Sequence, residues 1–360
     1  MKRGFGLIIL VPVLVMIAPT GVAQPPPPVT TLEGAFLKRV ADDEVSAARV
    51  ELAAAELAAA RVTADPFALR LPRVQAEHAL TDARAALDSA HFAAQLETQD
   101  AYFEALEAAD AVRLAERERD LAQTTLGATE IRFEAGAAMA VDVDRARNEV
   151  GAATRILDAE RTRQLLAAGQ LAARLGIGID TLVLQELTVN TVVPTLDDVL
   201  ERSKNNHELR VAVQALEEAR IYLEGVDNAF SARAELEGAQ AAFQAARTGL
   251  AELRRSVALS VRSAHLTALA FGDALRAAEE GYTTERAALE VQRARFDAGS
   301  ISQLELAQAK LDAATSAAQV KRARHELARS VAALEGVVRG TGGAPPSLPD
   351  IGVDEESGEE

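Results

Sequence analysis

Apolar positions in this chain are filled mostly by alanine and leucine and are interleaved with Glu, Arg and Gln over two long spans, 73 to 193 and 195 to 344, that contain no proline. A proline inside a helix costs about 3 kcal/mol, so such spans are where long helices can run uninterrupted. The pattern predicts two units with one internal order. Each opens with a short helix whose start is signalled by a hydroxyl and an acid three residues on, Thr30 and Glu33 in the first unit, Thr195 and Asp198 in the second. After a break near Pro66 or near Asp227 and Asn228, a long helix follows over 74 to 132 and over 231 to 295. At 1.5 Å per residue, about 58 residues make a rod of roughly 87 Å. A glycine-containing turn then reverses the chain into a return helix over 140 to 175 and over 302 to 337. Between the units, Leu182, Leu184, Leu187, Val189, Val192 and Val193 lack helical spacing and close on Pro194, which predicts one short strand or an extended connector over 181 to 194.

The two units are a duplication. Ala101, Ala105, Leu106 and Arg113 recur as Ala264, Ala268, Leu269 and Arg276 at an offset of 264 − 101 = 163, and Gly136 recurs as Gly299 at the same offset. Thr31 and Leu32 match Thr195 and Leu196 one residue out of step. Single matches are cheap in alanine-rich sequence, but one spacing held over so long a stretch is not.

Composition narrows the picture. Aromatic residues are 4% of the chain and there is no tryptophan, so large side chains are too few for a ball-shaped core, and alanine-rich helices favour rods packed closely side by side. The first residues form a secretory signal, 1 to 23: Lys2 and Arg3, an apolar run from Leu7 to Ile17, then Gly21, Val22 and Ala23 before a cut at Gln24. A proline-rich linker follows over 24 to 30, the first repeat occupies 31 to 180 and the second 195 to 338. Residues 339 to 360, Gly- and Pro-rich and then acidic, are expected to form a disordered tail. The absence of cysteine excludes both disulfides and a lipidated cysteine after the signal. A formal charge of −16, or −18 once Lys2 and Arg3 are removed, argues against nucleic acid as a partner.

Chemistry for catalysis is thin. The five histidines, His78, His91, His207, His265 and His325, show no metal-ligand spacing, and no phosphate-binding glycine loop, dinucleotide fingerprint or nucleophile elbow is present. No enzyme, cofactor or metal is therefore expected. The alternating charges of Glu116, Arg117, Glu118 and Arg119 suit a solvated or inter-helix face. What does repeat is the turn: Arg132, Phe133, Ala135 and Gly136 in the first unit, Arg295, Phe296, Ala298 and Gly299 in the second, each followed six residues beyond the glycine by an acid, Asp142 or Glu305. Glycine supplies the left-handed residue that ends a helix, and the acid falls in the first turn of the next, where the dipole favours negative charge. Hairpin chemistry alone accounts for each of these residues taken singly.

The whole constellation resembles the TolC-type outer membrane efflux proteins over roughly residues 30 to 338. The resemblance rests on the signal, the doubled helical hairpin, the two Phe-acid-Ala-Gly turns, the continuations Val141-Asp142-Val143 and Leu304-Glu305-Leu306-Ala307-Gln308, and the Leu175-Gly176 end. It implies an all-α fold of tandem antiparallel hairpins that closes as a homotrimer into an α-helical tunnel, with at most a short equatorial strand. It also implies that the hairpin turns dock a periplasmic adaptor (membrane fusion) protein of an inner membrane pump. Carried onto this chain, the docking surface is Arg132, Phe133, Gly136, Arg295, Phe296 and Gly299, and Asp142, Asp144 and Glu305 are the candidate aperture carboxylates.

The chain departs from that family in one respect. Members insert several tens of residues after the first helix of each unit, carrying the strands of an outer membrane β-barrel. Here Val62 to Arg73 has only Phe67, Leu69 and Leu71 in alternation, and Glu224 to Ser231 has nothing comparable. A spanning strand needs about 9 to 11 residues, and an open strand edge cannot sit in lipid. The expectation is a tunnel without a barrel, exported to the periplasm or cell envelope: either a separate outer membrane barrel completes the passage, or the chain is a soluble periplasmic duct. The competing expectation is a structural spacer or tether of the envelope, without transport.

Overall fold

A computed structural model describes residues 43–185 and 191–341. The predicted signal, the proline-rich linker, the start signal at Thr30 and Glu33, Leu187 and Val189 of the connector, and all but the first residues of the acidic tail lie outside the described residues. The rest is helical: α1 (Asp43–Ala64), α2 (Arg70–Glu134), α3 (Ala140–Arg174), a 3-10 turn (Ile179–Thr181), α4 (Leu196–Ser203), α5 (His207–Val226), α6 (Arg233–Asp297) and α7 (Gln303–Arg339). The two long helices have 65 residues each, rods of roughly 98 Å. Arg70 to Arg233, Glu134 to Asp297 and Ala140 to Gln303 are each shifts of 163, for instance 233 − 70. Side chains keep the same register: Arg161 to Glu116 at 3.1 Å across α2 and α3 recurs as Arg324 to Glu279 at 2.8 Å across α6 and α7, so Glu116 lies on an inter-helix face.

Ion pairs fix the helix directions. Along α2, Glu97, Glu116 and Glu130 meet Arg174, Arg161 and Arg147 of α3 in falling order, an antiparallel hairpin. Asp100, Glu107 and Asp110 of α2 meet Arg329, His325 and Lys321 of α7, also antiparallel. Hence α2 runs parallel to α6, and the two hairpin tips lie at one end. At the other end, α5 lies against the start of α2 through Arg70 and Glu224 (3.1 Å), Gln75 and Glu218 (3.2 Å), and His78 and Glu218 (2.8 Å).

Burial is concentrated away from the tips. Tyr102 and Leu171 are fully buried among Ala101, Ala105, Leu106, Ala108 and Ala167, with Leu182 and Leu184 of the connector packed over them. In the second copy Val261, Ala264, Ala268 and Leu334 pack with Val199 of α4. Alanine at the seams lets the rods approach closely, as its abundance predicts.

Three details differ from expectation. The first long helix begins at Arg70, not 74, because Pro72 sits in its first turn, where amides have no intrahelical partner to lose. Phe67 and Leu69 lie in the turn ahead of it and Leu71 lies within it, so no strand forms there; no β-strand occurs among the described residues, and the described parts of the connector, 182–185 and 191–194, are not helical. The second unit has an additional break at 204–206. There Asn206, 2% exposed, caps α5 by accepting from the Glu208 and Leu209 amides (2.9 and 3.3 Å) and donates to the Val337 carbonyl at 3.0 Å. The expected cap at Thr195 is present, its hydroxyl accepting from the Asp198 amide at 3.3 Å. Among the described residues no helix is long and apolar enough to cross a membrane.

Candidate partner-docking site

The paired tips are built by one backbone device used twice. Gly136 and Gly299 adopt φ of 73° and 69°, a left-handed conformation that costs a side-chain-bearing residue about 1 kcal/mol or more. The amide of Gly136 donates to the Phe133 carbonyl (2.9 Å) and that of Ala137 to the Arg132 carbonyl (2.8 Å); Gly299 to Phe296 (2.8 Å) and Ser300 to Arg295 (2.9 Å) repeat the pattern. These bonds satisfy the orphan carbonyls of the long helices in a Schellman turn. A Cβ at either glycine would meet open space, so backbone conformation and not crowding requires the glycine.

The same geometry presents the predicted side chains. Arg132 and Arg295 are exposed in the last turns of α2 and α6, where a cation complements the helix dipole. Phe133 and Phe296 are 47% and 37% exposed, and Ile131, Met139, Val141 and Val291 add further exposed apolar surface nearby. The three candidate carboxylates are engaged locally. Asp142 accepts from the Met139 amide at 2.9 Å and lies near Arg145; Asp144 lies 3.7 Å from Arg147. Glu305 accepts from the Ser302 amide (2.7 Å) and hydroxyl (2.8 Å), while the Ser302 hydroxyl accepts from the Glu305 amide at 3.2 Å, a complete capping box. The Ser302 amide and hydroxyl hold the Glu305 carboxyl below the usual range.

Between the hairpins and behind the tips, α2, α6 and α7 enclose an open groove of about 930 Å³, lined by Arg113, Arg117, Arg286, Arg293, Lys310 and Lys321 with fewer acids. In a chain of net charge −16 this is a locally basic surface. Beyond the groove, one polar cluster ties α2 to α7. His325 stacks on Phe103 with ring centres 4.3 Å apart and 5° between planes, and its Nδ1 is 3.0 Å from Glu107 Oε1. Arg329 donates to the same oxygen at 3.1 Å and to Asp100 at 3.2 Å, and its guanidinium lies 5.3 Å from the Phe103 ring centre. Burial pushes the Glu107 carboxyl up, but the His325 bond and the Arg329 charge outweigh it and leave it lowered. Spacing along the chain gives no sign of this cluster, since its two halves, 100–107 and 325–329, are more than 200 residues apart. The adjacent aromatics Tyr102 and Phe103 in an aromatic-poor chain were the one available signal.

The fold and tips together define a doubled helical-hairpin protein of the efflux-channel type. The family model for outer membrane efflux proteins matches residues 65–177 and 225–338, one segment in each copy, and the chain belongs to that family. Among curated proteins none matches the sequence. Of solved structures, the outer membrane protein VceC of Vibrio cholerae is similar with a TM-score of 0.57 and 12% identity over 86% of this chain and 97% of that one. The MtrE outer membrane channel of Neisseria gonorrhoeae has 0.55 and 15% over 86% and 89%, and a membrane protein from Pseudomonas aeruginosa 0.57 and 15% over 86% and 93%. At such identities the likeness shows the fold alone: TolC-like helical hairpins in an all-α chain.

Proposed function

We propose that this chain is the periplasmic conduit component of a tripartite efflux or secretion system: a homotrimer whose hairpin tips dock an adaptor protein, with transport driven by a partner pump and no catalysis of its own. The observation that carries the proposal is a mismatch between the two copies. Phe103 of α2 is fully buried against α7, whereas Leu266, its counterpart 163 residues on in α6, is 65% exposed. On the other side, Ala328 of α7, next to the Arg329 that bonds α2, is buried, whereas its counterpart Leu165 in α3 is 63% exposed, with Leu166 beside it at 61%. Each chain therefore has two open edges that are equivalent to its one internal seam. Joining α6 of one copy to α3 of the next repeats that seam and closes a ring of hairpins. The family resemblance supplies the number three and assigns the tips, Arg132, Phe133, Gly136, Arg295, Phe296 and Gly299, to the adaptor. Asp142, Asp144 and Glu305 are, on the same resemblance, the candidate aperture carboxylates, and the missing barrel strands are the reason to give the outer membrane passage to a separate barrel.

The chain has no cysteine, so Leu266→Cys with Leu166→Cys places the only two thiols at the proposed seam. A short bis-thiol crosslinker is expected to give a ladder that ends at three chains. A chain that sediments as a monomer and gives no ladder would sink the trimer. Adaptor docking is tested by Arg132→Glu with Arg295→Glu in the assembled protein, where loss of adaptor binding is expected and unchanged binding removes the tips from the interface.

A further inference from the structure

The end opposite the tips also repeats a turn, and its chemistry is different. The Phe67 amide donates to Asp65 Oδ1 at 2.9 Å, and the Phe230 amide donates to Asn228 Oδ1 at 2.9 Å, the same side-chain turn 163 residues apart. Each turn presents its phenylalanine to solvent: Phe67 is 87% exposed and Phe230 98%, the two most exposed large apolar side chains among the described residues, with Leu69 next at 75%. Across the six positions from Asp65 to Arg70, only Phe67 and Arg70 recur unchanged, as Phe230 and Arg233. A single exposed apolar side chain is ordinary. Two at equivalent places, with the neighbouring residues changed, are not explained by the fold, because neither ring packs on it.

The pair from Arg70 to Glu224 and the bond from Gln75 to Glu218 hold the two turns side by side, so both rings project from one end of the rod. Arg70 and Arg233, three residues after each ring with side chains 67% and 90% exposed, are paired to Glu224 and Glu237 at 3.1 and 2.8 Å. Projecting rings followed by exposed guanidinium groups fit the boundary layer of a bilayer, where aromatic side chains sit among headgroups and arginine meets phosphate. A second copy joined along the open edges at Leu266 and Leu165 would lie beside the rod and leave its end uncovered. A protein partner would be expected to meet a groove, and here there are points. The turns are also too short to span, since a membrane strand needs about 9 to 11 residues.

We propose that Phe67 and Phe230, with Leu69, insert into the interfacial layer of a phospholipid surface and seat this end of the rod on a membrane without crossing it. The contact rests on neither the trimer nor the adaptor, although several chains in one ring would reinforce it.

The chain has no tryptophan, so Phe67→Trp and Phe230→Trp, made singly in the full-length chain, each give one local fluorophore that does not report on the apolar run near the N-terminus. With vesicles of phosphatidylethanolamine and phosphatidylglycerol, emission is expected to move to shorter wavelength and to be quenched by brominated acyl chains. Replacing the rings, Phe67→Ser and Phe230→Ser, is expected to weaken vesicle binding by about tenfold each, while Val50→Ser, at a 71% exposed apolar side chain within α1, leaves it unchanged. Emission indifferent to vesicles overturns the proposal. So does short-wavelength emission that rises with protein concentration without lipid, which would assign the rings to a second copy. A shift produced only by a purified outer membrane barrel protein would assign them to a protein partner and overturn it equally.

Discussion

Tyr102 and His265 stand at the same place in the two copies and hold the connector between them by different chemistry. The Tyr102 hydroxyl donates to the Gln185 carbonyl at 3.2 Å and accepts from the Gln185 amide at 3.0 Å, whereas His265 Nε2 is 3.0 Å from the Pro194 carbonyl. One residue further along, the copies part: Phe103 is buried under His325 and Arg329, and Leu266 faces solvent. Duplication has conserved the backbone register while the two positions have diverged, one filled within the chain and the other exposed. In the proposed ring the internal seam is a template for the external one, and the difference between them can be measured.

The largest effect is expected at the filled seam. Phe103→Ala removes a fully buried ring and should cost about 3–5 kcal/mol in denaturant unfolding at low protein concentration. Leu266→Ala should stay within about 0.5 kcal/mol there, because an exposed side chain loses no packing, and should instead weaken association. Equal costs at the two positions would break the comparison. Next comes the ion cluster on the same seam. Glu107→Gln should cost about 1.5–3 kcal/mol at neutral pH, the range for hydrogen bonds to charged groups. Because the folded Glu107 carboxyl is lowered, its stabilisation is present above the unfolded carboxylate value, about 4.3, and is lost as pH falls through the folded value. Thermal melts of the two proteins should therefore converge in acid. Glu335, lowered in the same sense by Arg339 and Arg202 despite burial, stays in both proteins and cancels from the difference.

The helical layout was legible because proline and glycine punctuate it. The long helices end two residues past expectation at Glu134 and Asp297, where the glycine turns leave little choice. The four-residue error at Arg70 came from treating Pro72 as a stop, although a first-turn proline breaks no bond. The break at 204–206 was missed because its cause is tertiary: Asn206 bonds Val337, 131 residues away, and α7 ends at Gly340 with φ 77°, where a Cβ would come within 2.6 Å of Asn206 Oδ1. The tips were legible as turns, since glycine and capping acid are local signals. The basic groove and the Glu107 cluster were not, because they assemble from helices whose facing residues no spacing reveals. In the sequence Phe67 belongs to an alternating segment with Leu69 and Leu71, and only its matching turn at Phe230 shows that it is something else.

The Asn206 contact gives a third, smaller test, at a joint of α4, α5 and α7 in the second copy. Asn206→Ala removes the α5 cap and its bond to Val337, and should cost about 1–2 kcal/mol by thermal or denaturant unfolding. A near-neutral result would mean that α4 and α5 are joined by burial alone.

The smallest expected effect separates geometry from capping at the tips themselves. Tip two closes with Ser302 and Glu305 in a full box, but tip one has Met139, whose side chain makes no cap bond, so only the acid half operates through Asp142. The backbone bonds around the two glycines nevertheless match, which assigns the backbone course to Gly136 and Gly299 and leaves the caps as an increment. Met139→Ser should then add, and Ser302→Ala remove, about 0.5–1 kcal/mol, read as slower or faster amide exchange in the first turns of α3 and α7. Adaptor affinity should not follow Ser302→Ala, because the exposed Arg295 and Phe296 keep their positions. If it does follow, the caps help to hold the docking geometry, and the two tips are unequal partners by construction.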